Sequence, residues 1–164
     1  KSSANDYKSV PQYSNNIPSP SQVSSASMKM VVFVGANKAG TTFTTNAVAH
    51  ALAANKISTS ILDMTRDKSM FYLYNQNDKS MRKKATECMQ RVSDGEDVYL
   101  DTNSAYLKVY TTVPGSVSDV RRSYKHKTII ETVKANCNMV IVDADFTTPI
   151  DYFDHADAIF VVPW

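Results

Sequence analysis

Cysteine is scarce. Cys88 and Cys137 are the only two in 164 residues, and neither stands in a C-x-x-C or Cys/His spacing. Two isolated thiols make no disulfide scaffold and argue against a zinc site; both are expected to be reduced, in a cytosolic protein. An excess of either charge is lacking too. Eighteen Lys and Arg face sixteen Asp and Glu, a formal net charge of +2, too small for charge alone to point to nucleic acid. No apolar run approaches the roughly 20 residues of a membrane-spanning helix. An initiator Met and a signal-peptide pattern are both missing at Lys1, so the expectation is a piece of a longer protein.

What is present suffices for one domain with a core. Hydrophobic residues make up 43% and charged residues 21%, the balance of a globular chain too short for two full-sized domains. Residues 1–27 stand apart, with nine serines, three prolines (Pro11, Pro18, Pro20) and sparse apolar residues without period. Such a segment buries too little surface to offset its ordering entropy. It is expected to be a disordered linker from an N-terminal module, or a native tail. The folded domain is expected over 28–164.

From Met28 onward strand and helix patterns alternate. Met30-Val-Val-Phe-Val34 is a short apolar run, as in a strand buried on both faces. A turn over 35–40 leads to a helix from Thr41 to about Asn55, with Val48, Ala51, Leu52 and Ala54 as its apolar positions. Residues 58–63 predict a second strand, about 80–92 a helix, and 107–111 a third strand. A long polar helix is expected from Asp119 to Asn136 on Ile129, Ile130 and Val133. Then come a buried strand Met139–Asp143, a short helix over 149–156, and a last buried strand Ala158–Val162. This order predicts an α/β fold, a doubly wound and mostly parallel sheet with right-handed crossovers. A stop just after a core strand makes a missing C-terminal portion the expectation.

In such a sheet, ligands bind at the carboxyl ends of the strands. The first of these ends carries Gly35-x-x-x-x-Gly40-Thr41-Thr42, close to the phosphate-loop pattern G-x-x-x-x-G-K-[ST]. Glycines let the backbone wrap a phosphate, the helix N-terminus adds partial positive charge, and the final hydroxyl serves magnesium. Thr41 stands where the pattern has lysine. A hydrogen bond to a charged group is worth roughly 1.5–3 kcal/mol, so its loss weakens binding roughly 10- to 100-fold. Lys38 either folds over the phosphates in compensation or is solvated.

The stretch from Val31 through the small-residue helix, followed by Ser60-Ile-Leu-Asp63, resembles the start of the ParA/MinD family of deviant-phosphate-loop ATPases. Met139-Val-Ile-Val-Asp143 followed by Pro149 is similar to the family's later strand-Asp and D-x-P switch. The resemblance covers 28–164, the first two thirds of such a domain. It implies ATP and magnesium as ligands, held by Gly35, Lys38, Ala39, Gly40, Thr41 and Thr42, with Thr42, Asp63 and Asp143 around the metal and the two aspartates in the catalytic role. Asp145 is an alternative to Asp143.

The departures matter as much. The family's signature lysine falls at Ala36, its phosphate-loop lysine at Thr41, and its second acid at Thr65 with Asp67 nearby. The resemblance therefore implies a degenerate member with weak or no hydrolysis, a positioning or assembly factor for a pilus, secretion or conjugation machine, of the CpaE/TadZ type. It would be cytoplasmic or peripheral at the inner face of the membrane, with protein partners and a possible homodimer, and nucleic acid is not the expected partner. One alternative is a working ATPase that uses Lys38. Another is a dinucleotide-binding oxidoreductase, although Asn37 replaces the middle glycine of G-x-G-x-x-G.

His50, His126 and His155 lack a paired nucleophile or acid and are expected to be structural. The basic clusters 82–84 and 121–127 are expected on solvated helix faces, or else against a partner, an acidic membrane surface or DNA, and Tyr72 and Tyr74 are expected to pack beside Phe71, or else to form an exposed aromatic patch for a partner.

Overall fold

The computed structural model describes residues 28–75, 78–115 and 123–163. The expected linker, 1–27, lies outside the described residues, as does the start of the helix expected from Asp119. Strand β1 (Met30–Gly35) is buried along its whole length. Its apolar side chains gain on both faces, about 1.5–3 kcal/mol for each large one. Helix α1 (Thr41–Ala54) follows, then β2 (Thr59–Asp63), α2 (Ser69–Tyr74), α3 (Lys79–Ser93), β3 (Leu100–Asp101) and β4 (Leu107–Tyr110). Helix α4 (His126–Ala135), β5 (Met139–Ala144), α5 (Ile150–Asp154) and β6 (Ala158–Val162) complete the domain.

The strands form one sheet in the order β3-β4-β2-β5-β1-β6. All pairs are parallel except β3 with β4. From β1 the chain moves to β2 and β4, then reverses through β5 to β6. With right-handed crossovers, the reversal puts α1 on one face and α4 and α5 on the other. Accordingly α1 packs over β1, β2 and β5, while α4 packs on β5, α3 and α5. The connections after β1 and β5, which are neighbours, leave toward opposite faces. Their carboxyl ends open a crevice there, the switch point where ligands bind.

Several expectations are corrected. The side of α1 that faces the sheet is Thr41, Thr45, Ala49 and Ala53, not the larger apolar residues. Small side chains let the helix approach closely, and Val48 and Leu52 pack at its flank. Helix α4 begins only at His126, and residues 123–125 are not helical. Strand β6 is not buried: Val161 is 72% exposed, with Ile159 and Phe160 about half exposed, because β6 pairs only with β1 and lies at the sheet edge. Helix α2 and the antiparallel β3 gave no periodic signal, being six and two residues long. In α2 Phe71 is buried, but Tyr72 is 69% exposed and does not pack into the core.

No helix among the described residues is long and apolar enough to cross a membrane.

Candidate functional site

The loop between β1 and α1 is shaped by its two glycines for different reasons. A Cβ at residue 35 would lie 2.2 Å from Thr41 Oγ1 and 3.1 Å from the Val162 carbonyl oxygen, so Gly35 provides space. Gly40 has φ +84°, so it provides handedness. Between them the Ala39 N–H closes a turn on the Ala36 carbonyl at 3.0 Å. Lys38 takes φ +68°, left-handed without being glycine.

Helix α1 opens with its N–H groups unclaimed. Gly40 offers no side-chain cap, and the first turn carries no acid. The first N–H groups of a helix have no intrahelical partner and carry the positive end of the dipole. Thr41 Oγ1 adds an orphan: the residue is 7% exposed and this oxygen has no hydrogen-bond partner. Next to it, Thr42 Oγ1 donates to Asp143 Oδ2 at 2.7 Å, and Thr45 Oγ1 donates to Oδ1 at 3.4 Å.

These groups border a cleft of about 600 Å³ with three walls. The first is Gly35 to Thr42 without Ala39, the second is residues 65–67 with Ser69, and the third is Ala144 to Thr147. Gly35, Lys38, Gly40, Thr41 and Thr42 thus line the cleft as a group. Ala39 does not, because its backbone is turned into the loop. Asp143 is fully buried and meets the cleft through Thr42. Burial and the Asp63 carboxylate next to it push Asp143 up to about 7, against the hydrogen bonds from Thr42 and Thr45.

Asp63 is placed differently from the expectation. It is the register partner of Asp143 but does not line the cleft. One oxygen accepts from the Thr65 N–H at 3.1 Å and the Thr65 hydroxyl at 2.6 Å. The other accepts from the Met70 N–H at 3.2 Å and the Thr111 hydroxyl at 2.9 Å. Four donors occupy this carboxylate, which ties the start of α2 to β2 and β4. Burial raises its pKa, opposed first by the nearby Lys68 cation. Lys68 is itself buried, and its Nζ donates to the Asp63 carbonyl at 3.3 Å.

Asp145 lines the cleft and braces two of its walls. Its Oδ2 accepts from the Arg66 N–H at 2.7 Å, and its Oδ1 from the Thr147 N–H at 2.7 Å and the Thr147 hydroxyl at 2.6 Å. These hydrogen bonds hold its pKa below the usual carboxylate range despite partial burial. Thr148 Oγ1 adds a second tie, donating to the Met64 carbonyl at 3.1 Å. Arg66, Phe146 and Thr147 escaped the sequence reading, because only the sheet brings their loops beside the first one. The Arg66 position, three residues past a strand-end aspartate, was the one available signal.

The donor set suits magnesium held with a phosphate. Among the described residues no three His, Cys, Asp or Glu converge on one point. Magnesium is ordinarily held by one or two carboxylates plus phosphate oxygens rather than by an all-protein cage. Here Thr42 would present its hydroxyl with the Asp143 carboxylate behind it, and the orphan Thr41 hydroxyl and open α1 N-terminus fit an anion.

The histidines are all engaged within the fold. His50 Nε2 lies 3.0 Å from the Tyr74 hydroxyl, His126 Nδ1 2.8 Å from that of Tyr152, and His155 Nδ1 2.8 Å from the Asp151 carbonyl. In the basic clusters, Lys84 pairs with Asp101 and Lys125 with Asp94, while Arg121 and Arg122 lie outside the described residues.

No protein-family model matches the chain, and no curated protein matches it. Among solved structures, the crystal structure of the chimerical protein CapA2B2 is similar, with a TM-score of 0.57 and 21% identity over 79% of this chain. The likeness spans 58% of that protein's length. At this identity it shows the fold alone, a mostly parallel α/β sheet flanked by helices, and this loosely fits the fold that the family resemblance implies.

Proposed function

We propose that this chain is a nucleotide-binding domain of ParA/MinD type that takes a magnesium-nucleotide at the β1–α1 loop with weak or no hydrolysis. The observation that carries the reading is the uncapped α1 N-terminus with the buried, partnerless Thr41 hydroxyl, beside the Thr42–Asp143 pair. In their division of labour, the loop N–H groups cradle phosphate oxygens, while Thr42 and Asp143 hold the metal. Bound magnesium would neutralise phosphate charge. In this reading Asp63, its four acceptor positions already taken, holds α2 in place, and the metal role falls to Thr42 and Asp143.

Weak turnover follows from the missing cations. Ala36 and Thr41 leave the phosphates without the family's two lysines, and that charge is what stabilises phosphoryl transfer. A protein that binds nucleotide and turns it over slowly acts through what it assembles. The family resemblance makes this a positioning or assembly role at a pilus, secretion or conjugation machine, with protein partners.

Lys38 favours a second reading, a working ATPase. It lines the cleft and stands at the loop apex.

Calorimetry with magnesium-ATP, beside a turnover assay, tests both. Binding that weakens in Thr42→Ala, with negligible turnover, is the expected result. Brisk turnover that collapses in Lys38→Ala would replace the first reading with the second. No binding of any nucleotide would overturn both.

A further inference from the structure

If the cleft takes phosphates, its charge balance is unusual. Asp143, Asp145 and Asp67 stand in or beside it, and the loop brings no cation except Lys38. A nucleoside triphosphate adds several negative charges, which helix-dipole and N–H contributions offset only in part. The second wall supplies the remedy. Arg66 lines the same cleft as the loop and is exposed. Its backbone is anchored at and just before the residue: its own N–H is bound by Asp145, and the preceding Thr65 is bound twice by Asp63. Lys68, two residues on, is buried.

We propose that Arg66 is the phosphate-charge partner of this site, reaching from the β2–α2 loop to take the role that the absent lysines leave vacant. The inference rests on the reading of the cleft as a phosphate site and deepens it by naming the ligand class: di- and triphosphates, whose length bridges the α1 N-terminus and the second wall, in preference to monophosphates. Two features favour Arg66 over Lys38. A guanidinium offers a planar fork of donors matched to phosphate oxygens, whereas an ammonium acts as a point charge. The Arg66 backbone is also pre-ordered by Asp145, so binding loses less chain entropy there. In this arrangement Asp145 is a positioning residue, acting through the Arg66 main chain.

The test is calorimetry on the full chain with magnesium-ATP, magnesium-ADP, AMP and inorganic tripolyphosphate, for the native protein, Arg66→Ala, Arg66→Lys and Lys38→Ala. Thermal unfolding serves as the control for folding. Arg66→Ala is expected to weaken ATP and tripolyphosphate roughly 10- to 100-fold, the worth of a charged hydrogen bond or two, while AMP hardly changes. Arg66→Lys should recover part of the loss. Equal ATP affinity in Arg66→Ala and the native protein would overturn the role of Arg66 and leave the nucleotide reading standing. Tripolyphosphate binding that depends on Arg66, without any nucleotide binding, would keep Arg66 and overturn the nucleotide reading. Binding of neither would overturn both.

Discussion

Strands β2 and β5 lie side by side, and each ends in an aspartate aligned with the other across the register, Asp63 against Asp143. Both carboxylates are fully buried and both are raised by that burial. Their surroundings then diverge. Asp63 accepts two backbone N–H groups and two hydroxyls and has Lys68 close by. Asp143 accepts only from the hydroxyls of Thr42 and Thr45 and has the Asp63 charge next to it. One end is saturated and holds the fold together. The other lacks a cation and sits directly behind the phosphate-type loop. The same local sequence, an apolar strand closing in Asp, thus yields a saturated brace at one position and, at its neighbour, a carboxylate with only two hydroxyl donors.

Removing the brace should have the largest effect. Asp63→Ala leaves four buried donors without an acceptor, and is expected to destabilise the fold by about 3–5 kcal/mol in urea denaturation. An equal loss in Asp143→Ala would erase the contrast. Next come the hydroxyls that serve each carboxylate. Thr111→Val should cost about 1.5–3 kcal/mol of stability, as a lost hydrogen bond to a charged acceptor, and leave nucleotide affinity alone. Thr42→Val removes a comparable bond and should cost a similar amount of stability, but unlike Thr111→Val it should also lower magnesium-ATP affinity roughly 10- to 100-fold.

The third test uses the sign of the Asp143 shift in magnesium-free buffer. Its pKa rises from the ordinary 3.8 to about 7 on folding. The folded state therefore holds the proton more tightly, and this contribution is complete below about pH 4 and lost as pH rises through about 7. Asp143→Asn keeps an acceptor for Thr42 without the charge. It should stabilise the protein by about 1–3 kcal/mol at pH 8 and flatten the pH profile of unfolding between those limits, while abolishing the magnesium dependence of nucleotide binding. A stability loss at pH 8 would contradict this picture. The smallest effect is expected at the loop above Asp143. Lys38→Gly removes a left-handed non-glycine residue, worth about 1–2 kcal/mol, but adds about 0.5–1 kcal/mol of unfolded-chain entropy. A net gain of at most about 1.5 kcal/mol should appear in the melting temperature.

The strands that carry the site were legible because burial on both faces demands unbroken apolar runs. Met30–Val34 and Met139–Asp143 are short, rich in β-branched residues and bounded by turns, which selects strand over buried helix. The loop was legible because the close approach at Gly35 leaves no room for a side chain and the left-handed backbone at Gly40 favours glycine. Segments too short to show a period were not legible, and so α2 and β3 were missed. Nor was the exposure of β6, since an apolar run reads the same at the sheet edge as at its centre. The face of α1 was misassigned because hydropathy favours Val48 and Leu52, whereas close contact with the sheet selects Thr45 and Ala49.

By itself, then, the sequence determined the α/β alternation, the position of the glycine loop after β1 and the presence of Thr41 where the phosphate-loop pattern has lysine. These are local properties, set by backbone conformation and side-chain volume over a few residues. Only the tertiary structure decided that Asp63 is spent on α2 and β4 while Asp143 is reserved for Thr42, and that Arg66 and Asp145 share a cleft with the loop. Those outcomes depend on which strands are neighbours and on how many donors surround a buried charge, and such quantities arise only when distant segments meet.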